Sequence, residues 1–166
     1  MSKQYDIPAL IDQMADELEQ KLDIDGQTAM VGIHTGGVWI AQRLHKTLKI
    51  QPPLGALDIS FYRDDFTRIG MNPQVKPSDL PFTLDDRNII LVDDVLHTGR
   101  TIRAAMNELF DYGRPASLAL ATLVDRSGRE LPIEANVVGL HMELGPDEHV
   151  KLGGPDPLVL ETKSNT

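Results

Sequence analysis

Apolar positions recur in two rhythms along the first half of the chain. In "YDIPALIDQMADELEQKL", Ile7, Leu10, Ile11, Met14, Leu18 and Leu22 fall three or four residues apart, which predicts an amphipathic helix. Asp6 can cap that helix and Pro8 suits its first turn. "TAMVGI", Thr28 to Ile33, predicts a short buried strand. "HTGG" breaks the pattern, and "VWIAQRLHKTLKI" predicts a second helix with Val38, Ile40, Ala41, Leu44 and Leu48 on its apolar side. "LGALDISFY" reads as a strand, and so does Asn88 to Val92.

The second half repeats the alternation. Ile102, Ala105, Met106, Leu109 and Phe110 mark a third helix, which Gly113 ends. "ASLALATLV" is almost wholly apolar, as a central strand covered on both faces would be. "NVVGL" predicts another strand, and "HVKL" and "PLVLE" predict two small ones. The stretch from about Tyr62 to Pro81, rich in proline and mixed charge, reads as a long mobile loop. Strand and helix thus alternate, so the chain is expected to be α/β, with a central, mostly parallel sheet flanked by helices on both faces. Ligands of such sheets bind beyond the carboxyl ends of the strands. Three polar breaks stand at those ends: "HTGG", "DDVLHTGRT" and "VDRSGRE".

The second break carries the most chemistry. Gly99 permits a tight turn, Thr98 and Thr101 bring hydroxyls, and the helix that follows presents unpaired N–H groups and the positive end of its dipole. Together they suit an anion such as phosphate; the alternative is a helix start capped by Thr98 or Thr101. Asp93 and Asp94 immediately precede this loop. Two neighbouring carboxylates repel each other and any anion, so they call for hydroxyl donors or a cation. A ribose bearing a 5-phosphate supplies hydroxyls beside an anion, and Mg²⁺ could offset the remaining charge. A capped surface turn is the alternative for these acids too.

Composition narrows the class. The 166 residues suffice for one domain with a proper core. Lys and Arg number 16 against 25 Asp and Glu, for a net charge of −9, which argues against broad nucleic-acid binding. The absence of cysteine removes disulfides and thiolate metal sites. No stretch approaches the roughly 20 apolar residues of a membrane span, and "MSKQYDIPAL" does not read as a signal peptide, so a cytoplasmic location is expected.

"ILVDDVLHTGRT" resembles the phosphoribosyl-pyrophosphate motif of the type I phosphoribosyltransferases. "VGIHTGGVWIAQRL", "LDISFYRDDF" and "DYGRPASLALATLVDRSGRELPIEANVVG", in that order, resemble the branch of the family that uses uracil and regulates pyrimidine operons; the likeness runs from about Thr28 to Leu152. The resemblance implies one phosphoribosyltransferase domain over residues 1–166, with a mobile loop at about 62–81 and a small base-binding flap at about 126–160. It implies that Asp93 and Asp94 hold the ribose hydroxyls, and that Val95, Leu96, His97, Thr98, Gly99, Arg100 and Thr101 bind the 5-phosphate. His34, Thr35, Gly36 and Gly37 would form the pyrophosphate loop, and Arg129, Val150 and Lys151 would meet the base. Tyr62, Arg63 and Asp64 would belong to the mobile loop that closes over the site. The implied reaction makes UMP and pyrophosphate from uracil and phosphoribosyl pyrophosphate, with Mg²⁺ bound mainly through that substrate. A homodimer or homotetramer, and a pyrimidine-operon leader RNA as partner, are implied as well. The family commonly places an arginine before the loop glycine; Gly36 stands there instead, which predicts weak turnover. The rival expectations are a nucleotide-sensing regulator with little catalysis and a purine-type phosphoribosyltransferase.

The remaining polar residues carry plainer expectations. Arg43, His45, Lys46 and Lys49 read as a solvated helix face, Trp39 as a core or subunit contact, and Arg114 as a surface or subunit-contact residue. His141 and His149 lack metal-ligand spacing.

Overall fold

Asp6 and Pro8 start the first helix as their chemistry predicts. The computed structural model, which describes residues 4–59 and 78–164, places α1 at Ile7–Lys21, with Asp6 Oδ1 accepting from the Ala9 N–H at 3.1 Å. The chain continues through β1 (Ala29–Ile33), α2 (Gly36–Leu48), β2 (Gly55–Leu57), β3 (Asn88–Leu96), α3 (Arg100–Tyr112), β4 (Ser117–Arg126) and β5 (Val137–Met142). It ends in β6 (Glu148–Gly153) and β7 (Val159–Ser164). All the strands from β1 to β5 pair in parallel, in the order β2-β1-β3-β4-β5. The last two form a separate antiparallel hairpin.

Side-chain alternation divides the core between the two faces of the sheet. Ile90, Val92, Ala121 and Leu123 join Ile11, Met14 and Leu18 of α1 and Ile40 and Leu44 of α2. Ile89, Leu91 and Leu120 join Ile102, Ala105 and Leu109 of α3 on the other face. The apolar stripes read from the sequence are therefore the buried faces of these helices. Leu152, Leu158 and Leu160 anchor the C-terminal hairpin to the α1–α2 side.

Three boundaries differ from expectation. β3 continues past Val92 to Leu96, so both acids lie within the strand. Each is accommodated by a local bond: Asp94 N–H donates to Asp93 Oδ1, and Val95 N–H to Asp94 Oδ1, both at 2.8 Å. α2 starts at Gly36, two residues before the apolar pattern does. β2 covers only Gly55–Leu57 of the longer stretch expected, and the end of that stretch, from Ser60, lies outside the described residues. Asp79 adds an antiparallel bridge to Ala56 on the outer edge of β2.

Helix α2 crosses β1 without room for a side chain between them. A Cβ on Gly32 would stand 2.8 Å from Val38 Cα and 2.9 Å from Ala41 Cβ. Gly32→Ala should therefore lower stability by about 1–3 kcal/mol, because a packed core cannot absorb the methyl without shifting the helix. Urea denaturation should record a lower midpoint with an unchanged slope.

Candidate functional site

The three polar breaks do meet at the carboxyl end of the sheet, on β1, β3 and β4. The first is the turn into α2. His34 is half-buried and its N–H donates to Leu57 O at 2.8 Å; the His34–Thr35 peptide is cis. Thr35 caps α2 without a side-chain hydrogen bond, so the first N–H groups of the helix have no partner within it. This helix start rests directly on β3. A Cβ on Gly37 would lie 2.6 Å from Val92 O and 3.0 Å from Asp93 Cα, and one on Gly36 would overlap the Asp94 carboxyl group, with Cγ at 2.8 Å. The glycines expected to face a ligand thus also let the turn press against the paired acids.

The second break follows them. Thr98 Oγ1 accepts from the Arg100 N–H at 3.1 Å, and the cap position itself is Gly99, in the left-handed region at φ 96°. Gly99 replaces the threonine cap expected as the plain alternative, because the turn needs a positive φ. The loop encloses a small cavity of about 120 Å³, lined by Val95 to Gly99 with Thr101 and Ile102. Arg100 points elsewhere: its Nε pairs with Glu130 Oε1 at 2.9 Å, at the surface.

The third break braces the second from behind. Thr98 O accepts from both Glu130 N–H and Leu131 N–H, each at 3.0 Å. Arg129 donates through Nη1 to His97 O at 2.5 Å and through Nη2 to Asp125 Oδ1 at 2.6 Å. Asp125 Oδ2 also lies 3.8 Å from His141 Nδ1. Arg129, expected at the base, thus joins the loop after β3 to Asp125 at the end of β4. Val150 is half-buried and Lys151 exposed on β6. Tyr62, Arg63 and Asp64 lie outside the described residues.

Two residues of "VDRSGRE" escaped the sequence reading. Arg126 is 5% exposed, and its guanidinium donates to Ser127 O, Glu148 O and Gly145 O at 3.2, 2.8 and 3.3 Å. Ser127 Oγ donates to Leu144 O at 2.9 Å. Together they tie the β6–β7 hairpin to the end of β4. The sequence signal for Arg126 was its place in the charged pair Asp125–Arg126 that closes an almost wholly apolar run. His97 sits in the positive potential of Arg126, His149 and Arg129. Loss of hydration, then Arg126, hold its proton affinity below the ordinary imidazole value, although Glu130 opposes the shift. Trp39 packs half-buried against the core beside Gly154, within the range expected for it. Arg43, Lys46 and Lys49 line a groove with Pro8, Ile11 and Asp12.

The chain that carries this pair of acids and glycine turn is matched over residues 2–151 by a model of the phosphoribosyl transferase domain. The chain belongs to the phosphoribosyltransferase family. Within it, the chain is 62% identical over 156 residues to the Bifunctional protein PyrR of Nitrosococcus oceani, covering 92% of this chain and 88% of that protein. It is 58% identical over 156 residues to the Bifunctional protein PyrR of Pseudomonas aeruginosa, covering 93% and 92%. Among solved structures, the fold is similar to a hypoxanthine phosphoribosyltransferase of Staphylococcus aureus, with a TM-score of 0.66, 24% identity, and 90% of this chain and 80% of that one covered. A hypoxanthine-guanine phosphoribosyltransferase of Bacillus anthracis matches with a TM-score of 0.69 at 18% identity, covering 89% and 85%. The resemblance read from the motifs and the α/β fold expected from their order are both borne out, and the phosphoribosyltransferase is PyrR-like. Among the described residues no helix is long and apolar enough to cross a membrane, and no cluster of three or more His, Asp or Glu forms a metal site.

The surroundings of His97 lead to a direct test in the ligand-free phosphoribosyltransferase. Its ring should titrate below 6.5 in an NMR pH series, because charging it costs hydration and adds a cation beside Arg126. Arg129→Gln, which removes one of these cations while keeping a donor for His97 O, should move the midpoint upward.

Proposed function

We propose that the protein is a uracil phosphoribosyltransferase that forms UMP and pyrophosphate from uracil and phosphoribosyl pyrophosphate. The observation that carries the reading is the contact between the turn into α2 and the Asp93–Asp94 pair, with the Thr98–Gly99 anion loop next along the same strand end. A sugar phosphate has this polarity: an anion at one end and neighbouring hydroxyls in the middle.

In the reaction a uracil ring nitrogen bonds to the anomeric carbon as the bond from that carbon to pyrophosphate breaks, and the proton on that nitrogen passes to solvent or to the departing pyrophosphate. Positive charge grows on the ribose in the transition state. The carboxylates of Asp93 and Asp94 favour that charge while accepting from the sugar hydroxyls. Unpartnered N–H groups at the start of α2 receive the leaving pyrophosphate, and those at the start of α3 hold the 5-phosphate. The loop is held rigid from behind by Arg129 and by the two N–H groups on Thr98 O, so little reorganisation remains at the moment of reaction. Orientation of this kind can supply about 7–11 kcal/mol of the barrier.

The donor set fits Mg²⁺ held mainly through substrate. Asp93 and Asp94 offer hard carboxylate oxygens, yet the described residues contain no cage of three ligands. Bound Mg²⁺ would supply charge neutralisation on the diphosphate. Asp93 and Asp94 would face it, and no other residue here is assigned to it.

A second reading, a nucleotide-sensing regulator, is favoured by one observation. The Asp94 carboxyl group fills the space where a residue 36 side chain would start, so this turn offers a diphosphate no guanidinium and an adjacent negative charge. The names of the PyrR relatives include "bifunctional", in keeping with a second role. Salt-sensitive binding of a pyrimidine-operon leader RNA, enhanced by UMP, would support it.

The enzyme reading is tested with radiolabelled uracil, phosphoribosyl pyrophosphate and Mg²⁺. Wild-type protein should form UMP, and Asp94→Asn should lower kcat/KM by about 10²-fold without lowering the melting temperature. Folded wild-type protein that forms no UMP would overturn the reading.

A further inference from the structure

Glu108 occupies a position on α3 that local chemistry does not explain. It stands one turn after the buried Ala104 and Ala105, and its Oε2 is buried with no hydrogen-bond partner among the described residues. An unmatched buried oxygen carries a cost. Its other oxygen accepts from Ser78 Oγ at 3.1 Å, and the same Ser78 Oγ accepts from the Asp58 N–H at 3.2 Å. Asp58 is the residue that leaves β2, at the carboxyl end of the sheet, and is 7% exposed.

The neighbouring bonds show what this relay holds. Asp79 exchanges two backbone bonds with Ala56, at 2.7 and 2.8 Å. Leu57 O takes the His34 N–H at 2.8 Å. The path therefore runs from the helix behind the phosphate loop, through Ser78, to the end of β2, and from Leu57 to the turn that opens α2. It connects α3 with the edge strand β2, which the sheet places on the far side of β1 from β3.

We propose that Glu108 is a positioning residue which, through Ser78, fixes the end of β2 and so sets the His34–Gly37 turn for the diphosphate of the substrate. This rests on the phosphoribosyltransferase reading given above. A purely structural glutamate would only pin the 78–82 segment to α3; a positioning one also controls how well the turn receives its ligand.

The charged groups that act on Glu108 are Asp58 at the end of β2 and Asp111 on its own helix, and Ser78 supplies a hydroxyl. Burial, then the two carboxylates, raise its proton affinity above the ordinary glutamate range, against the Ser78 bond. The ionised form is the stronger acceptor. The Ser78 bond consequently tightens as pH rises through the raised pKa. Stability moves in the opposite sense: the folded state holds the proton more firmly than the unfolded chain, so stability is lost as pH rises from the ordinary glutamate value through the raised one.

The test compares wild type with Glu108→Gln, Glu108→Ala and Ser78→Ala. Glu108→Ala and Ser78→Ala should raise the KM for phosphoribosyl pyrophosphate about tenfold, with kcat and the KM for uracil unchanged. Glu108→Gln keeps the acceptor and should recover most of that loss at low pH, its deficit against wild type widening as pH rises. In NMR spectra, the Asp58 amide should show an inflection above the ordinary glutamate range that Glu108→Gln abolishes. Unchanged substrate KM in the variants, together with an Asp58 amide indifferent to Glu108→Gln, would overturn the proposal. Absence of UMP from wild type would defeat the enzyme reading instead, and the Asp58 amide would still decide whether the relay exists. Should Glu108→Ala fail to fold, the glutamine and Ser78 variants give both readouts.

Discussion

Two helices begin at the same end of one sheet, and a pair of aspartates sits at the strand end between them. Each helix start brings unpaired N–H groups and a positive dipole end. That concentration of donors makes Asp93 and Asp94 tolerable inside a strand, and the acids in turn give the donors something to face. Gly37 brings α2 onto the backbone of β3, and Gly99 turns the chain sharply enough to begin α3 right after β3 ends. The rest of the sheet holds these pieces in register, with its two apolar faces covered by α1 and α2 on one side and α3 on the other.

Much of this was legible in the sequence because it depends on neighbours along the chain. The spacing of Ile11, Met14 and Leu18 marked a buried helical face, and "ASLALATLV" marked a strand covered on both sides. The hairpin of β6 and β7 was visible as two short apolar runs. Boundaries failed where side chains overrode propensity. Aspartate is a poor strand former, so the end of β3 was placed before Asp93; the two local N–H to carboxylate bonds carry the strand onward. The threonines looked like caps, but a positive φ at the cap position favours Gly99.

Links between distant residues were not legible. The bonds of Arg129 to His97 O and Asp125 had no sequence signal, since no spacing rule connects position 129 with a carbonyl at 97. Ser78 and Glu108 are 30 residues apart and belong to no motif. Gly36 was read as a missing arginine. The structure adds a steric reason why the position is empty, since the Asp94 carboxyl group already stands there.

Arg126 has a consequence for how an anion reaches a chain that carries a net charge of −9. Three main-chain carbonyls satisfy its hydrogen bonds, and none of them cancels its charge. A buried cation with no ion-pair partner among the described residues projects its field outward through a poorly screened medium, and that field already reaches His97. The surface acids, by contrast, are damped by dissolved salt within about 8–10 Å. A phosphate drifting past would be repelled faintly by the whole molecule and drawn in by one local funnel, so moderate salt should blunt the repulsion more than the attraction.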